Sequence, residues 1–307
     1  PGEKVVCADQ RWENYDLIIQ GNLHLEIVSF PLFDKNNMNI DGFIEALTKC
    51  AQNQRMAAAI VNFPNNPTGF MPGTEDREKL KQAVLKIADA GKKIILIFDD
   101  AYDGYVFDPQ VPRYSPFGDF VNLHQNIYPI KLDGMSKEFL IYGGRIGCIT
   151  AGLHEPAGLN EGWAQELTDK ITALIRSTFS NSSHLLQAAA VRALEDAAPA
   201  IERERETIRS ILHNRWQQLL QLFGEFPHYR VDPFNSGFFC LVNIKDVDAA
   251  KLADHLLKKC KIGTVPTQIP DAGINALRIA FCSVMDNDIP RLVSDLQESL
   301  SKLCESV

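Results

Sequence analysis

Apolar positions along this chain follow two alternating rhythms. Short runs rich in β-branched residues recur at Val5–Asp9, Leu25–Pro31, Ala57–Phe63, Ile94–Asp99, Asn126–Asp133 and Arg145–Ala151, lengths that suit strands rather than helices. Between them lie stretches with helical spacing, notably Asp41–Asn53 and Thr74–Ala90. The second is followed by Gly91, the residue type that most readily closes a helix C-terminus. Near-continuous apolar strands separated by helices predict a mostly parallel sheet with helices on both faces.

From Ser183 to about Phe223 the pattern predicts one long helical region, broken near Ala198-Pro199. Beyond Pro227 the character changes. Phe238–Ile244 and Ala276–Phe281 read as strands, Asp248–Lys259 and Asp288–Leu303 as helices. The expected fold class is therefore α/β, a mostly parallel sheet plus a smaller α+β C-terminal domain. The large domain is expected over residues 1–208 and the small one over 209–307, with the boundary inside the long helix.

A length of 307 residues suits one large and one smaller domain. A net charge of −8 argues against nucleic acid or an anionic membrane as the main partner, and no apolar run is long enough to span a membrane. The cysteines (Cys7, Cys50, Cys148, Cys240, Cys260, Cys282 and Cys304) are odd in number and scattered, which supports neither a zinc site nor a disulfide framework. A cytoplasmic enzyme with reduced thiols is expected. The histidines at 24, 124, 154, 184, 213, 228 and 255 show no metal-ligand spacing and read as surface or structural residues. The chain opens at Pro1-Gly2-Glu3-Lys4 and runs straight into a strand, as though inside a domain, so a shortened or processed chain lacking its N-terminal part is expected.

Candidate chemistry centres on Lys137 in Asp133-Gly134-Met135-Ser136-Lys137, with Arg145 following in Tyr142-Gly143-Gly144-Arg145. A lysine among small residues at the end of an apolar strand is poorly explained by solubility. It is well explained if its amine condenses with an aldehyde while the arginine holds that aldehyde's phosphate. In an open α/β sheet, ligands bind beyond the carboxyl ends of the strands. Asn66 follows one such strand and Asp99 ends the next, and the helix between them makes a right-handed βαβ unit. Lys137 emerges after its own strand, so three distant motifs converge on one crevice.

Together with Asn65-Asn66-Pro67-Thr68-Gly69 and Asp99-Asp100-Ala101-Tyr102, this order and spacing resembles the pyridoxal 5'-phosphate (PLP) aminotransferases of fold type I, in the class I/II group that includes aspartate aminotransferase. The resemblance covers essentially the whole chain. It implies that Lys137 forms the Schiff base and then moves the proton from the substrate Cα. It implies that Asp99 keeps the pyridine nitrogen protonated, making the ring an electron sink. Asn66 and Tyr102 would bond the cofactor's phenolic oxygen, and Asn66 the substrate α-carboxylate as well. Ser136 and Arg145 would hold the phosphate, and Trp12 in Trp12-Glu13-Asn14-Tyr15 would stack on the ring. Arg278 in Leu277-Arg278-Ile279-Ala280-Phe281 would grip the α-carboxylate. Arg176 in Ile175-Arg176-Ser177-Thr178-Phe179-Ser180-Asn181 would reach across a homodimer with shared active sites to a distal carboxylate.

Each residue also has a plain structural reading: a loop cap for Asp99, a turn for the Asn-Pro-Thr-Gly run, core aromatics for Trp12 and Tyr102, an edge-strand arginine for Arg278, and a solvated helix arginine for Arg176. The sequence departs from aspartate aminotransferases at Gly134, where they carry a phosphate-binding serine, so the phosphate must rest on other groups. The implied reaction moves an amino group from an amino acid to a 2-oxo acid, with dicarboxylic or aromatic substrates. Other outcomes on the same fold are a β-lyase or decarboxylase, or a non-catalytic sensor domain of a transcription regulator.

Overall fold

The computed structural model describes residues 3–152 and 162–305, so His154 lies outside the described residues. Six strands form the main sheet: β1 (Lys4–Ala8), β2 (Glu26–Phe30), β5 (Met56–Asn62), β6 (Lys93–Asp99), β7 (Ile127–Gly134) and β8 (Gly147–Ala151). A small hairpin, β3 (Phe33–Asp34) with β4 (Asn37–Met38), is separate from it. The sheet order is β2-β1-β5-β6-β7-β8, parallel throughout except for the antiparallel edge strand β8.

The strands are apolar because the sheet is covered. Along β6, Ile94, Leu96 and Phe98 are all buried, and each such side chain removed from water contributes about 1.5–3 kcal/mol. They join a core with the inner faces of α2 (Ile40–Asn53) and α3 (Thr74–Asp89). Asn39 caps α2 by accepting from the Gly42 N–H at 2.9 Å. Helix α3 carries Glu75 and Asp76 in its first turn and Lys86 in its last, as its dipole favours. Gly91, at φ +80°, closes it with an N–H bond to Ala88 O.

Shorter helices follow the strands at α1 (Asn14–Asp16) and α4 (Met135–Glu138). Beyond β8 come α5 (Gly162–Thr178) and α6 (His184–Leu222). The break expected near Ala198-Pro199 lies at Ala197, whose φ of −134° leaves the helical region two residues before Pro199. After it, Leu212, Trp216 and Leu219 of α6 are buried in a second core. There a four-stranded antiparallel sheet, ordered β11-β12-β10-β9, packs with α7 (Ala249–His255) and α8 (Ile289–Cys304). Its strands are β9 (Tyr229–Val231), β10 (Cys240–Ile244), β11 (Val265–Ile269) and β12 (Ile274–Ile279). The fold is thus α/β with a smaller α+β unit. No helix among the described residues is long and apolar enough to cross a membrane.

The loop after β5 joins the two cores. Gly69 has φ +77°, and a Cβ there would lie 2.1 Å from Phe239 O, so glycine is needed for both conformation and approach. Its carbonyl accepts from the Asn235 and Ser236 N–H groups at 2.9 Å and from the Ser236 hydroxyl at 2.8 Å.

Candidate active site

Strands β5 and β6 end side by side, with Asn62 paired in register to Asp99. The Asn62 amide donates to Asp99 O at 2.8 Å, and its Oδ1 accepts from the Asn66 N–H at 2.9 Å. One side chain thus fixes the start of the Asn-Pro-Thr-Gly loop to the end of β6. Asn65 shapes the rest of that loop, its Oδ1 accepting from the Thr68 N–H and hydroxyl.

Asp99 stands just past the apolar part of β6. Its Oδ2 accepts from the Tyr15 hydroxyl and its Oδ1 from the Ala101 N–H at 3.3 Å. Burial pushes its pKa up, and the two hydrogen bonds hold it back down. Tyr15 is 6% exposed, and burial together with the Asp99 charge pushes its phenol well above the usual range, so it stays a proton donor. Trp12 packs edge-on against Tyr15, with ring centroids 5.7 Å apart. Tyr102 is buried against Phe238 and Phe239; burial raises its pKa, with Arg278 opposing.

Arg278 comes from β12 of the small sheet. Its Nη1 donates to Asn66 Oδ1 at 2.9 Å, and its guanidinium lies 4.5 Å over the Phe239 ring. Its Nε is buried with no hydrogen-bond partner among the described residues. A buried guanidinium N–H without an acceptor is costly, and an anion placed there would satisfy it.

Lys137 lies in the single turn α4, directly after β7. The Tyr105 hydroxyl donates to the carbonyls of Lys137 and Glu138, both at 3.2 Å, which ties this turn to the segment that leaves Asp99. Arg145, exposed and left-handed at φ 51°, donates to Tyr142 O at 3.0 Å and lies 3.5 Å from Ser136 Oγ. A serine hydroxyl and a guanidinium side by side suit a phosphate.

Direct contacts therefore link Asn66 to Arg278, Asn66 to Asp99 through Asn62, and Trp12 to Asp99 through Tyr15. Tyr102 and Arg278 both pack on Phe239, while Ser136 and Lys137 lie on the turn after β7 and Arg145 caps the next one. The structure does not bring Arg176 in: on α5 that side chain is exposed and donates to Ser180 Oγ at 2.5 Å. Sequence reasoning missed Tyr15, Asn62 and Tyr105. Tyr15 could have been found from its place three residues after Trp12, since a phenol buried near an apolar strand end needs a partner. Chain spacing also hid a grouping of His228, Asp246 and Cys304, whose possible ligand atoms lie within 4.8 Å of one another; His228 Nδ1 is engaged by Asp246 at 2.8 Å.

Comparison with known proteins gives the family. The family described as aminotransferase class I and II matches residues 1–296. The chain is similar to an aromatic-amino-acid aminotransferase of Thermococcus litoralis, 24% identical across 92% of this chain and 67% of that protein. It is also similar to a histidinol-phosphate aminotransferase of Burkholderia pseudomallei, 29% identical across 98% of this chain and 71% of that one. A solved aminotransferase structure from Anaerococcus prevotii superposes with a TM-score of 0.84 at 26% identity, covering 97% of this chain and 69% of its own. Since the family match runs from the first strand into the last helix, the chain belongs to the class I and II aminotransferases and is a PLP-dependent transaminase of fold type I.

Proposed function

We propose that this transaminase works on amino acids with dicarboxylic or aromatic side chains, and that Arg278 is its α-carboxylate receptor. The side-chain classes follow relatives named aromatic-amino-acid and aspartate aminotransferases. The observation that carries the carboxylate assignment is the Arg278 guanidinium, positioned by Asn66 and Phe239 and left with a buried Nε–H lacking an acceptor among the described residues. A carboxylate placed there would satisfy that N–H and gain a charge-assisted bond.

The residues fit the cofactor. Asp99 would hold the pyridine nitrogen, Trp12 a face of the ring, Asn66 and Tyr102 the phenolic oxygen, and Ser136 with Arg145 the phosphate. PLP supplies an aldehyde that captures the donor amine and a ring that spreads the electron pair left at Cα. The Lys137 amine would hold the aldehyde and, when free, would take the Cα proton and redeliver it. Tyr102 keeps its proton because burial raises its pKa, so it acts as a donor at neutral pH. Arg278 and Asn66 orient the donor by its carboxylate, which fixes which Cα bond faces the lysine.

The distal side chain is assigned to Arg176 of a partner subunit. Leu174 on α5, Phe179 just beyond its end and Leu185 on α6 are exposed large apolar side chains close to Arg176 in sequence, which supports burial in a homodimer. We place the enzyme in the cytoplasm, consistent with its free cysteines, and the division between large and small domains near residue 208. A second reading, an amino-alcohol phosphate as donor, is favoured by the 29% identical relative; Arg278 would then receive phosphate in place of carboxylate.

Borohydride reduction with PLP, followed by peptide mapping, should place the pyridoxyl group on Lys137; label on another lysine overturns the assignment. Aspartate, phenylalanine and histidinol phosphate offered with 2-oxoglutarate, and glutamate offered with oxaloacetate, then separate the substrate readings. Keto acid without released ammonia distinguishes transamination from elimination.

A further inference from the structure

We infer that Tyr105, together with the Glu138–Arg205 ion pair, is a positioning clamp that holds the turn carrying Lys137 and ties it to helix α6. The inference rests on Lys137 being the PLP-bearing lysine.

Helix α4 has four residues, too few to satisfy its own final carbonyls. Leu140 N reaches Lys137 O at 3.3 Å, and the single Tyr105 hydroxyl proton is shared between that carbonyl and Glu138 O. Tyr105 is itself immobilised. It is 2% exposed, its ring meets Phe238 edge-on at 4.8 Å, and its carbonyl accepts from the Gly237 N–H at 2.7 Å. Its backbone therefore belongs to the second core while its hydroxyl reaches the lysine turn.

The other half of the clamp comes from α6. Arg205 Nη2 lies 3.3 Å from Glu138 Oε1, and its guanidinium stands 5.7 Å over the Phe139 ring. Gly104, at φ +84°, leaves the space this arginine needs: a Cβ there would lie 2.5 Å from Arg205 Nη2. Both side chains of the pair are largely shielded, 25% and 21% exposed, so the pair is less screened than a surface ion pair. Beyond Arg205, α6 continues into Leu212, Trp216 and Leu219 of the second core. The residues flanking Lys137 on its C-terminal side are thus held from both directions by elements that also build the small unit. A shift of that unit is passed to the lysine through Tyr105 and Arg205.

Tyr105→Phe keeps the ring and deletes only the hydroxyl. In the cofactor-free protein, amide exchange of the segment around Phe139, Leu140 and Ile141 should quicken about three- to tenfold. In the PLP-loaded enzyme, kcat should fall by a similar factor at unchanged KM for the amino donor. Glu138→Gln and Arg205→Gln should each have a smaller effect of the same kind, and the double variant should be no worse than the larger single one, since one pair is broken once. Arg192→Gln, which opens an exposed ion pair on the same helix, serves as control and should change neither reading.

If Tyr105→Phe lowers only the melting temperature, with local exchange and kcat untouched, the clamp is overturned. Should that variant fold poorly, the Glu138/Arg205 cycle decides alone, and additive losses there overturn the inference. Borohydride label on a lysine other than Lys137 in the parent protein would instead defeat the site assignment itself.

Discussion

Asp99 and Asn66 draw their partners from several separate stretches of the chain: Tyr15, Asn62, Ala101 and Arg278. Ser136 and Arg145 sit differently. Arg145 bonds Tyr142 of its own turn and approaches Ser136, and strand β8 beyond it is exposed along nearly its whole length. The wall proposed to face the cofactor ring (the ring-facing wall) is therefore fixed by the tertiary fold, and the one proposed to face its phosphate (the phosphate-facing wall) by local turns. Groups held by many distant partners move only if the fold opens, whereas groups held by one turn fluctuate with that turn. Substitutions in the first wall should act on chemistry, and substitutions in the second chiefly on cofactor affinity.

The largest effect belongs to Asp99. Asp99→Ala should cut turnover about 10²- to 10³-fold. The fold should survive, because burial already disfavours the charge of this carboxyl. Tyr15→Phe, which removes the hydroxyl on Oδ2, should cost about tenfold or less. Near-normal rates in Asp99→Ala would show that the tightly partnered wall is structural only.

Next come two arginines, Arg278 in the tightly partnered wall and Arg176, which the structure leaves outside both walls. Arg278→Ala should weaken all amino donors alike. Arg176→Ala should penalise aspartate and glutamate selectively, since a charge-assisted pair is worth about 1.5–3 kcal/mol, roughly ten- to a hundredfold. Steady-state kinetics with glutamate and phenylalanine decide it. Equal losses for both donors in Arg176→Ala would leave that exposed arginine without a substrate role.

Much of the ring-facing wall stood out in the sequence because its residues are polar in apolar settings. Asp99 ends an apolar strand predicted at Ile94–Asp99 and observed at Lys93–Asp99, and Arg278 interrupts Leu277 and Ile279. The strand β11 did not stand out: Pro266 and a mostly exposed edge position erase any apolar rhythm. Neither did Tyr15, Tyr105 or Arg205. Their partners lie 84, 32 and 67 residues away along the chain (Arg205 to Glu138 being 205 − 138), and nothing local encodes such pairings. Arg205 also sits in the run Glu202-Arg203-Glu204-Arg205-Glu206, which reads as a solvated helix face.

Burial on the ring-facing side can be tested at Asp100, 2% exposed beside Asp99. Burial pushes its pKa up to about 7, with Asp103 and Asp133 adding to the rise and Ser115 and Lys131 opposing it. The folded state then binds this proton more tightly than the unfolded chain, so stability falls as pH rises from about 4 to about 7. Asp100→Asn carries no charge at any pH. It should melt close to the parent at pH 4 and above it at pH 8. Equal melting temperatures at pH 8 would mean that Lys131, 3.5 Å away, compensates the charge fully.

The smallest effect expected is a gain on the phosphate-facing side. Gly134 stands where aspartate aminotransferases have a phosphate-binding serine, and the structure gives no steric reason for it. Its φ of −144° is open to any residue, and a Cβ would meet nothing within 4 Å among the described residues. Gly134→Ser should therefore be accommodated, and its hydroxyl should tighten PLP binding by about three- to tenfold, the worth of one added hydrogen bond at a partly exposed site. Gly134→Ala separates this from backbone stiffening, since it adds the Cβ without the donor. Gly134 is also the N-cap of α4 and offers no side-chain cap, so the serine could bond the helix instead of the phosphate. A higher melting temperature without cofactor, at unchanged affinity, would report that capture. Tighter binding in the serine variant alone would show that the turn-held wall has room for a further phosphate ligand, as its sparse hydrogen bonding implies. No gain in either property would place the phosphate beyond reach of position 134, and Ser136 with Arg145 would then be the wrong end of the site.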